Sequence, residues 1–325
     1  MRVVITASGG GHTAFALALA RRLTGRSELY FVVRKSDELS KKRLSRYGVV
    51  VETPSGRGPF DSLLKAIPRL GLAFLESLVK GIRGDLVVCM GHNHSVPPTI
   101  ASWLRGAKVL ALEDIVRFGS RGRAISVVSR IAEAVALHWE EQTKLYPDKG
   151  VVVGPVYEDR ELDPWDGGYI LVTAGTYGFK ELFDAVAEAS DRLGRVVVQT
   201  GRVDPELYKD RVWRAFSVTH EFHRWLAGAS VVIAHAGVTP ATAALAYGKP
   251  VITMLNPRLR LTARGWEAKL FASKIGAVYL EDLTPDSIIR AVEQARKMRP
   301  PSIPNGADRL AELILSTIEG EPRVG

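Results

Sequence analysis

The first place in this sequence where chemistry could be done is a histidine beside a run of glycines. Ser8-Gly9-Gly10-Gly11-His12-Thr13 follows an apolar run at residues 3–7 and opens a helical pattern. Imidazole titrates near neutrality, so His12 can take a proton from a hydroxyl as a general base. The bland alternative is a loop or capping histidine. Gly10, Gly11 and Thr13 let the backbone come close to a ligand at the same turn. The other candidate base is Glu113 in A-L-E-D-I-V-R (111–117), with Asp114 as its rival and a salt-bridged surface carboxylate as the plain reading. His92 and His94 in G-H-N-H-S (91–95) have metal-ligand spacing but no carboxylates around them. They read better as a loop lining the entrance for a second substrate, and no metal is expected, since no D-x-D pair occurs in the chain.

The second half holds turns suited to an anion. Residues 169–173 run into Ala174-Gly175-Thr176-Tyr177-Gly178, and residues 230–234 run into His235-Ala236-Gly237-Val238-Thr239, each followed by a helix. Free N–H groups at two helix starts could hold a diphosphate between them, with Gly175, Thr176, His235, Gly237 and Thr239 closest to it. Gln199, Gly201 and Asn256 lie just past strand ends and are further candidates for donor contact. The first glycine turn, at 8–13, has neither the spacing of a dinucleotide fingerprint nor the lysine of a P-loop.

Positioning these loops requires strands that end where they begin. Apolar β-branched runs at 2–7, 28–33, 49–52, 85–90, 108–112, 134–138 and 151–153 alternate with amphipathic stretches. After a polar Pro/Gly-rich linker at 154–168, the pattern resumes at 169–173, 195–199, 214–217, 230–234, 250–254 and 277–280. Helical patterns cover 12–23, 179–192 and 238–247. This alternation predicts an α/β protein of two Rossmann-like, doubly wound domains, with His12 at the carboxyl edge of the first sheet facing a cleft. The expected division is 1–155, 156–305, and a helix at 306–325 returning to the first domain. A chain of 325 residues is the right length for two such cores. The stretch 60–82 reads as an amphipathic helix broken at Pro68 and Gly71, too charged to span a membrane. The lone Cys89 excludes an internal disulfide and a cysteine zinc site. A net charge of +9 suits an anionic partner, while the absence of any zinc-finger, homeodomain or RNA-recognition pattern argues against nucleic acid.

Several motifs resemble a known family. T-A-G-T (173–176), V-V-Q-T-G-R (197–202), V-V-I-A-H-A-G (231–237), Y-G-K-P-V-I (247–252) and L-N-P-R-L (255–259) resemble the catalytic subunit of the dolichol-linked chitobiose-forming N-acetylglucosaminyltransferase, a family-28-like glycosyltransferase of GT-B fold. S-G-G-G-H-T (8–13), A-L-E-D-I-V-R (111–117) and H-W-E-E-Q-T-K-L-Y-P (138–147) resemble its acceptor-binding partner, so the chain resembles a fusion of the two. The resemblance implies an inverting transfer from UDP-GlcNAc to a lipid-pyrophosphate-linked sugar in glycan precursor assembly. It also implies a UDP-sugar used as substrate, with no cofactor, and a cytoplasmic enzyme peripheral at an anionic membrane surface. The first domain would bind the acceptor and the second the donor. Two positions depart from the family pattern. Ala243 or Ala244 stands where an acidic residue usually holds the donor ribose, and Thr262-Ala263-Arg264-Gly265-Trp266-Glu267 replaces an N-H-Q-like element. The alternatives are an exopolysaccharide-type transferase with another acceptor, a sugar-nucleotide epimerase on the same fold, and a catalytically inactive nucleotide-sugar-binding scaffold.

Overall fold

The computed structural model describes residues 1–54, 63–257, 259 and 263–320. Residues 60–62 of the amphipathic stretch and Thr262 of the departing segment therefore lie outside the described residues. The chain divides into two compact units, Met1–Val156 with Pro304–Gly325, and Tyr157–Ile303.

Unit 1 is built on seven parallel strands: β1 (Arg2–Thr6), β2 (Glu28–Arg34), β3 (Val49–Thr53), β4 (Leu86–Cys89), β5 (Lys108–Leu112), β6 (Ala134–Leu137) and β7 (Gly150–Val152). Their order is β3-β2-β1-β4-β5-β6-β7. Val3, Val4 and Ile5 in β1 and all four residues of β4 are buried, as strands covered by helices on both faces must be. Unit 2 repeats the plan with β8 (Tyr169–Thr173), β9 (Val196–Gln199), β10 (Arg214–Phe216), β11 (Ala229–His235), β12 (Val251–Met254) and β13 (Val278–Tyr279), in the order β10-β9-β8-β11-β12-β13. Each sheet reverses direction of growth between its first and fourth strands. The loops after β1 and β4, and after β8 and β11, are thus the switch-point loops where open α/β sheets bind ligands.

The helix Ala307–Glu319 packs on the helix Gly10–Leu23 in unit 1. Arg22 reaches Asp308 at 3.0 Å and Arg26 reaches Glu312 at 2.7 Å. Both pairs are partly or fully exposed, so the apolar seam of Leu310, Ala311 and Ile314 contributes most of the attachment.

Three helices differ from expectation. Leu63–Val79 is one helix that runs through Pro68. Proline removes a single backbone hydrogen bond there, at a cost of about 3 kcal/mol, and the helix is held by its inner face of Ala73 and Ser77. The expected helix at 179–192 is Lys180–Glu188 followed by a separate turn, Ser190–Leu193. The pattern at 238–247 is a short helix, Val238–Ala241, that widens over Thr242–Ala246, where the Tyr247 N–H bonds the Thr242 carbonyl five residues back.

Candidate active site

In unit 1 the β1 and β4 loops are pinned to each other. Thr6 Oγ1 donates to the Val88 carbonyl at 3.1 Å, and Ser95 Oγ donates to the Thr6 carbonyl at 3.3 Å. His12, in the first turn of its helix, crosses to the second loop, with Nδ1 2.5 Å from the Met90 carbonyl. A carbonyl only accepts, so Nδ1 carries the proton and Nε2 keeps its lone pair. Burial holds the His12 pKa below the ordinary 6.5, against the field of Asp114 and the Met90 bond, which raise it. The side chain is therefore a neutral imidazole with a fixed tautomer, the form a general base needs.

The glycine turn itself receives a carboxylate from its own unit. Asp37, which caps the helix Glu38–Leu44 after β2, sends Oδ2 into the turn. It accepts from Gly9 N at 2.7 Å and from Ser8 Oγ at 2.9 Å. Burial pushes the Asp37 carboxyl up, but donors from Ser40, Ser8 and Gly9 outweigh it and hold the group below its usual range. Gly10 is exposed and Gly11 half-buried, while Thr13 is buried with its hydroxyl 2.7 Å from Ser40 Oγ. Thr13 is thus a packing residue.

His92 stands beside His12, ring centroids 5.3 Å apart, and its Nδ1 accepts from His94 N at 3.2 Å. Burial, and then the neighbouring His12, keep it well below the ordinary histidine pKa. His94 does not line the loop. It is 1% exposed, with Nδ1 near the Pro54 carbonyl and Nε2 near Thr53 Oγ1, and burial lowers its pKa to about 4.

Glu113 is also placed differently from expectation. It is 1% exposed, and its carboxylate accepts from Asp114 N at 2.8 Å, Gly122 N at 3.0 Å and the Tyr146 hydroxyl. Burial pushes its pKa up against these donors. A group so enclosed is a staple across the 113–122 loop. Gln142 completes the brace: Oε1 accepts from His138 N and Trp139 N, and Nε2 donates to the Asp114 and Arg117 carbonyls. His138 donates from Nε2 to the Glu113 carbonyl at 2.8 Å and accepts on Nδ1 from Val156 N at 3.0 Å. Asp114 remains half-buried, and its charge reaches His12.

In unit 2 the turns after β8 and β9 are interlocked by glycine. Gly178 (φ +73°) and Gly201 (φ +63°) both sit in left-handed backbone. A Cβ on Gly201 would strike the Gly175 and Thr176 carbonyls, and one on Gly178 would strike the Thr200 carbonyl. Gln199 lies under this pair, 7% exposed, its Oε1 accepting from Thr173 Oγ1 at 2.8 Å. Asn256 is a brace: its N–H donates to His235 Nδ1 at 3.0 Å, and Nδ2 donates to the Gly178 carbonyl at 3.4 Å. It is 3% exposed and ties the first switch-point turn to the second. Because His235 Nδ1 accepts, its neutral ring carries the proton on Nε2. Gly175 is exposed, and Thr176, His235, Gly237 and Thr239 are half-exposed at the carboxyl ends of β8 and β11. Ala243 and Ala244 are fully buried, so the missing acid is not replaced from that helix.

Asp37, Gln142 and the bracing roles of Glu113 and Asn256 were missed from sequence, because each depends on partners between 21 and 78 residues away or on a loop turning back on itself. A weak signal existed for Asp37, a Ser-Asp-Glu step at the start of a helical pattern.

Residues 169–312 match the family described as the glycosyltransferase family 28 C-terminal domain. A relative from Myxococcus xanthus (strain DK1622), named UDP-N-acetylglucosamine–N-acetylmuramyl-(pentapeptide) pyrophosphoryl-undecaprenol N-acetylglucosamine transferase, is 30% identical over 269 residues, covering 74% of this chain and 69% of its own. The protein of the same name from Moorella thermoacetica is 25% identical over 374 residues, 98% of this chain and 100% of its own. The fold is shared with the crystal structure of Acinetobacter baumannii MurG (TM-score 0.62, 19% identity, 97% and 99% of the two chains). A putative UDP-N-acetylglucosamine 2-epimerase from Listeria monocytogenes shares it too (TM-score 0.67, 14% identity, 99% and 98%). Fold alone does not separate transferase from epimerase; sequence does, on the transferase side. The acceptor in the relatives' names is a pyrophosphoryl-undecaprenol, so the dolichol-linked, N-glycan setting expected from the motifs is not what the relatives support. With two parallel sheets that each carry switch-point loops, and a relative 30% identical over 74% of this chain and 69% of its own, the chain belongs to glycosyltransferase family 28 and is a UDP-sugar-dependent glycosyltransferase.

Proposed function

We propose that this enzyme transfers N-acetylglucosamine from UDP-N-acetylglucosamine to a sugar carried on a lipid pyrophosphate, with inversion, and that His12 is the base. Unit 1 serves the acceptor and unit 2 the donor. The observation that carries the reading is the bond from His12 Nδ1 to the Met90 carbonyl, which leaves Nε2 unprotonated on the switch-point side of its sheet. Nε2 takes the proton of the attacking hydroxyl as the glycosidic bond forms and the bond to UDP breaks. Glu113 holds the loop that presents Asp114, whose negative charge favours the imidazolium as it forms. In unit 2, N–H groups at Thr176, Gly237 and Thr239 meet the charge growing on the leaving diphosphate, while Gly175, whose N–H donates to Thr173 Oγ1, and Gln199, Gly201 and Asn256 hold those turns in place.

Two features support a membrane-borne acceptor. The relatives' names contain a polyprenol pyrophosphate. The helix Leu63–Val79 exposes Ile67, Leu72, Leu75 and Val79, the last at 86%, and Leu104 is exposed after the neighbouring helix Val96–Trp103. Arg69, Lys80, Arg83 and Arg105 are exposed nearby in sequence. No helix among the described residues is long and apolar enough to cross a membrane, so this face would bind reversibly, by shallow insertion and attraction to anionic headgroups at the cytoplasmic side.

The test is transfer of labelled N-acetylglucosamine from UDP to undecaprenyl- and dolichyl-pyrophosphate sugars in parallel. Product in either arm, abolished in His12→Ala, supports the reading. UDP binding without transfer in both arms would favour the inactive scaffold, and release of a 2-epimer would favour the epimerase.

A further inference from the structure

We propose that unit 2 carries a divalent transition-metal site of the zinc type, made by Glu158, Glu161 and His223. Among the described residues this is the one group of three metal-capable side chains whose ligand atoms all lie within 4.8 Å of one another. His223 Nε2 is 2.9 Å from Glu158 Oε1 and 3.7 Å from Glu161 Oε1. Tetrahedral bonds of zinc to nitrogen and carboxylate oxygen, roughly 2.0–2.1 Å long, put neighbouring ligand atoms about 3.3 Å apart. These two separations bracket that edge, and the third, between the two carboxylates, lies within 4.8 Å, so an ion would draw the ligands together.

The cluster is built into the fold. Glu158 and Glu161 lie on the first stretch of unit 2, which docks along the widened turn after β11 at two points: Glu158 N donates to Thr242 Oγ1 at 3.2 Å, and Glu161 N donates to the Tyr247 hydroxyl at 2.9 Å. His223 comes from the helix Phe222–Gly228. Its imidazole is held from behind, Nδ1 lying 2.7 Å from the same Tyr247 hydroxyl, which aims Nε2 at the two carboxylates. An oxygen partner on the far ring nitrogen is the usual outer support of a metal-bound histidine. The His223 and Glu158 side chains are 6% and 8% exposed, while Glu161 is 39% exposed. Two ligands are thus shielded, and the third leaves a path for the ion and for a water to complete its coordination.

The donor set selects the ion class. One imidazole and two carboxylates suit zinc, manganese or cobalt; an imidazole is a poor ligand for magnesium or calcium, and no thiolate is present for copper(I). The ion would fasten three segments distant in sequence, the entry to unit 2, the helix at 222–228 and the turn at 242–247. None of its three ligands is among the residues proposed to hold the diphosphate.

The experiment uses the full chain, stripped with EDTA and dialysed, then titrated with Co²⁺ under visible spectroscopy and with Zn²⁺ under calorimetry. One equivalent should bind, with a Co²⁺ ligand-field band that Zn²⁺ removes, and thermal unfolding should move upward with Zn²⁺. Glu161→Gln, at a half-exposed position, should stay folded and bind Co²⁺ about tenfold or more weakly; Tyr247→Phe should weaken it by about tenfold through the lost outer support. His223→Gln should abolish the band. Folded wild-type protein with no saturable binding, or binding unchanged in Glu161→Gln, overturns the proposal and leaves His223 and Glu158 a hydrogen-bonded pair only.

Discussion

Both sheets have one strand order, and both put a glycine turn after the first strand, yet the two turns are finished differently. In unit 1 the turn receives a carboxylate from its own chain: Asp37 fills the N–H of Gly9, and the site's reactive feature is a histidine fixed against the next loop. In unit 2 the turn is closed by backbone contact. Glycines 178 and 201 bring two loops into backbone contact, and Asn256 bolts them to the third. In the function proposed above, the same topology serves a base in one place and an anion in the other, with the first turn closed by a side chain, Asp37, and the second by glycine backbone.

That contrast can be broken in stages. The largest effect should come from His12→Ala, which is expected to lower kcat by about 10²–10⁴ with folding intact; wild-type turnover would end the assignment. Because burial holds the His12 pKa down, the acid limb of kcat/KM should fall below pH 6.5, and activity should be lost only as pH drops through that lowered value. A limb at or above 6.5 would point to another group.

Next is Gly201→Ala. Left-handed backbone and the overlap with the Gly175 and Thr176 carbonyls should together cost about 2–4 kcal/mol. UDP affinity, read by calorimetry without added metal, should fall with the turn. At Gly9 in unit 1 a Cβ meets open space, so Gly9→Ala should cost only the strain of its positive-φ backbone, about 1–3 kcal/mol.

Asp37→Ala should cost about 1–3 kcal/mol in urea unfolding, from a lost helix cap and an unpaired Gly9 N–H. UDP affinity should not move, since the turns proposed to hold the diphosphate belong to unit 2.

The smallest effect is a difference in acid tolerance. His94 and His138 are held to about pKa 4 by burial, and His12 and His92 are also lowered, all in unit 1. Between the lowered folded values and the ordinary 6.5, the unfolded chain binds protons that the folded unit refuses. Stability therefore falls as pH drops from about 6.5 toward 4. Hydrogen exchange followed across that range should show unit 1 peptides opening before those of unit 2; the reverse order would contradict the burial of these rings.

The central strands were legible in sequence because a parallel strand buried on both faces is a continuous apolar run, as in residues 86–89 and 196–199, whereas β3, β7 and β10 are only partly buried. His12 was legible because glycines isolate it between a strand and a helix. The rest of the site was not, for a physical reason. Gln142 satisfies four backbone groups of two loops, and nothing in E-E-Q-T announces that. Glu113 looks like any exposed carboxylate until Tyr146, 33 residues on, closes over it. Pro68 reads as a break, yet helix packing outweighs one lost hydrogen bond. Hydrophobic period reports an element's own faces; it is silent on which distant polar group will meet a side chain.

The attachment of Ala307–Glu319 to the first helix has a consequence for biosynthesis. Its contacts join positions 286 residues apart, Arg22 to Asp308 and Arg26 to Glu312. Unit 2 is continuous in the chain and can close as soon as Ile303 has left the ribosome, whereas unit 1 must wait with the Leu17 and Leu19 helix lacking its cover until residue 319 emerges. At roughly 5–20 residues per second, translating the intervening stretch takes about 14–60 s. For that interval the half bearing His12 is an incomplete layer with an apolar seam open to solvent, and the half translated second is the first to be finished.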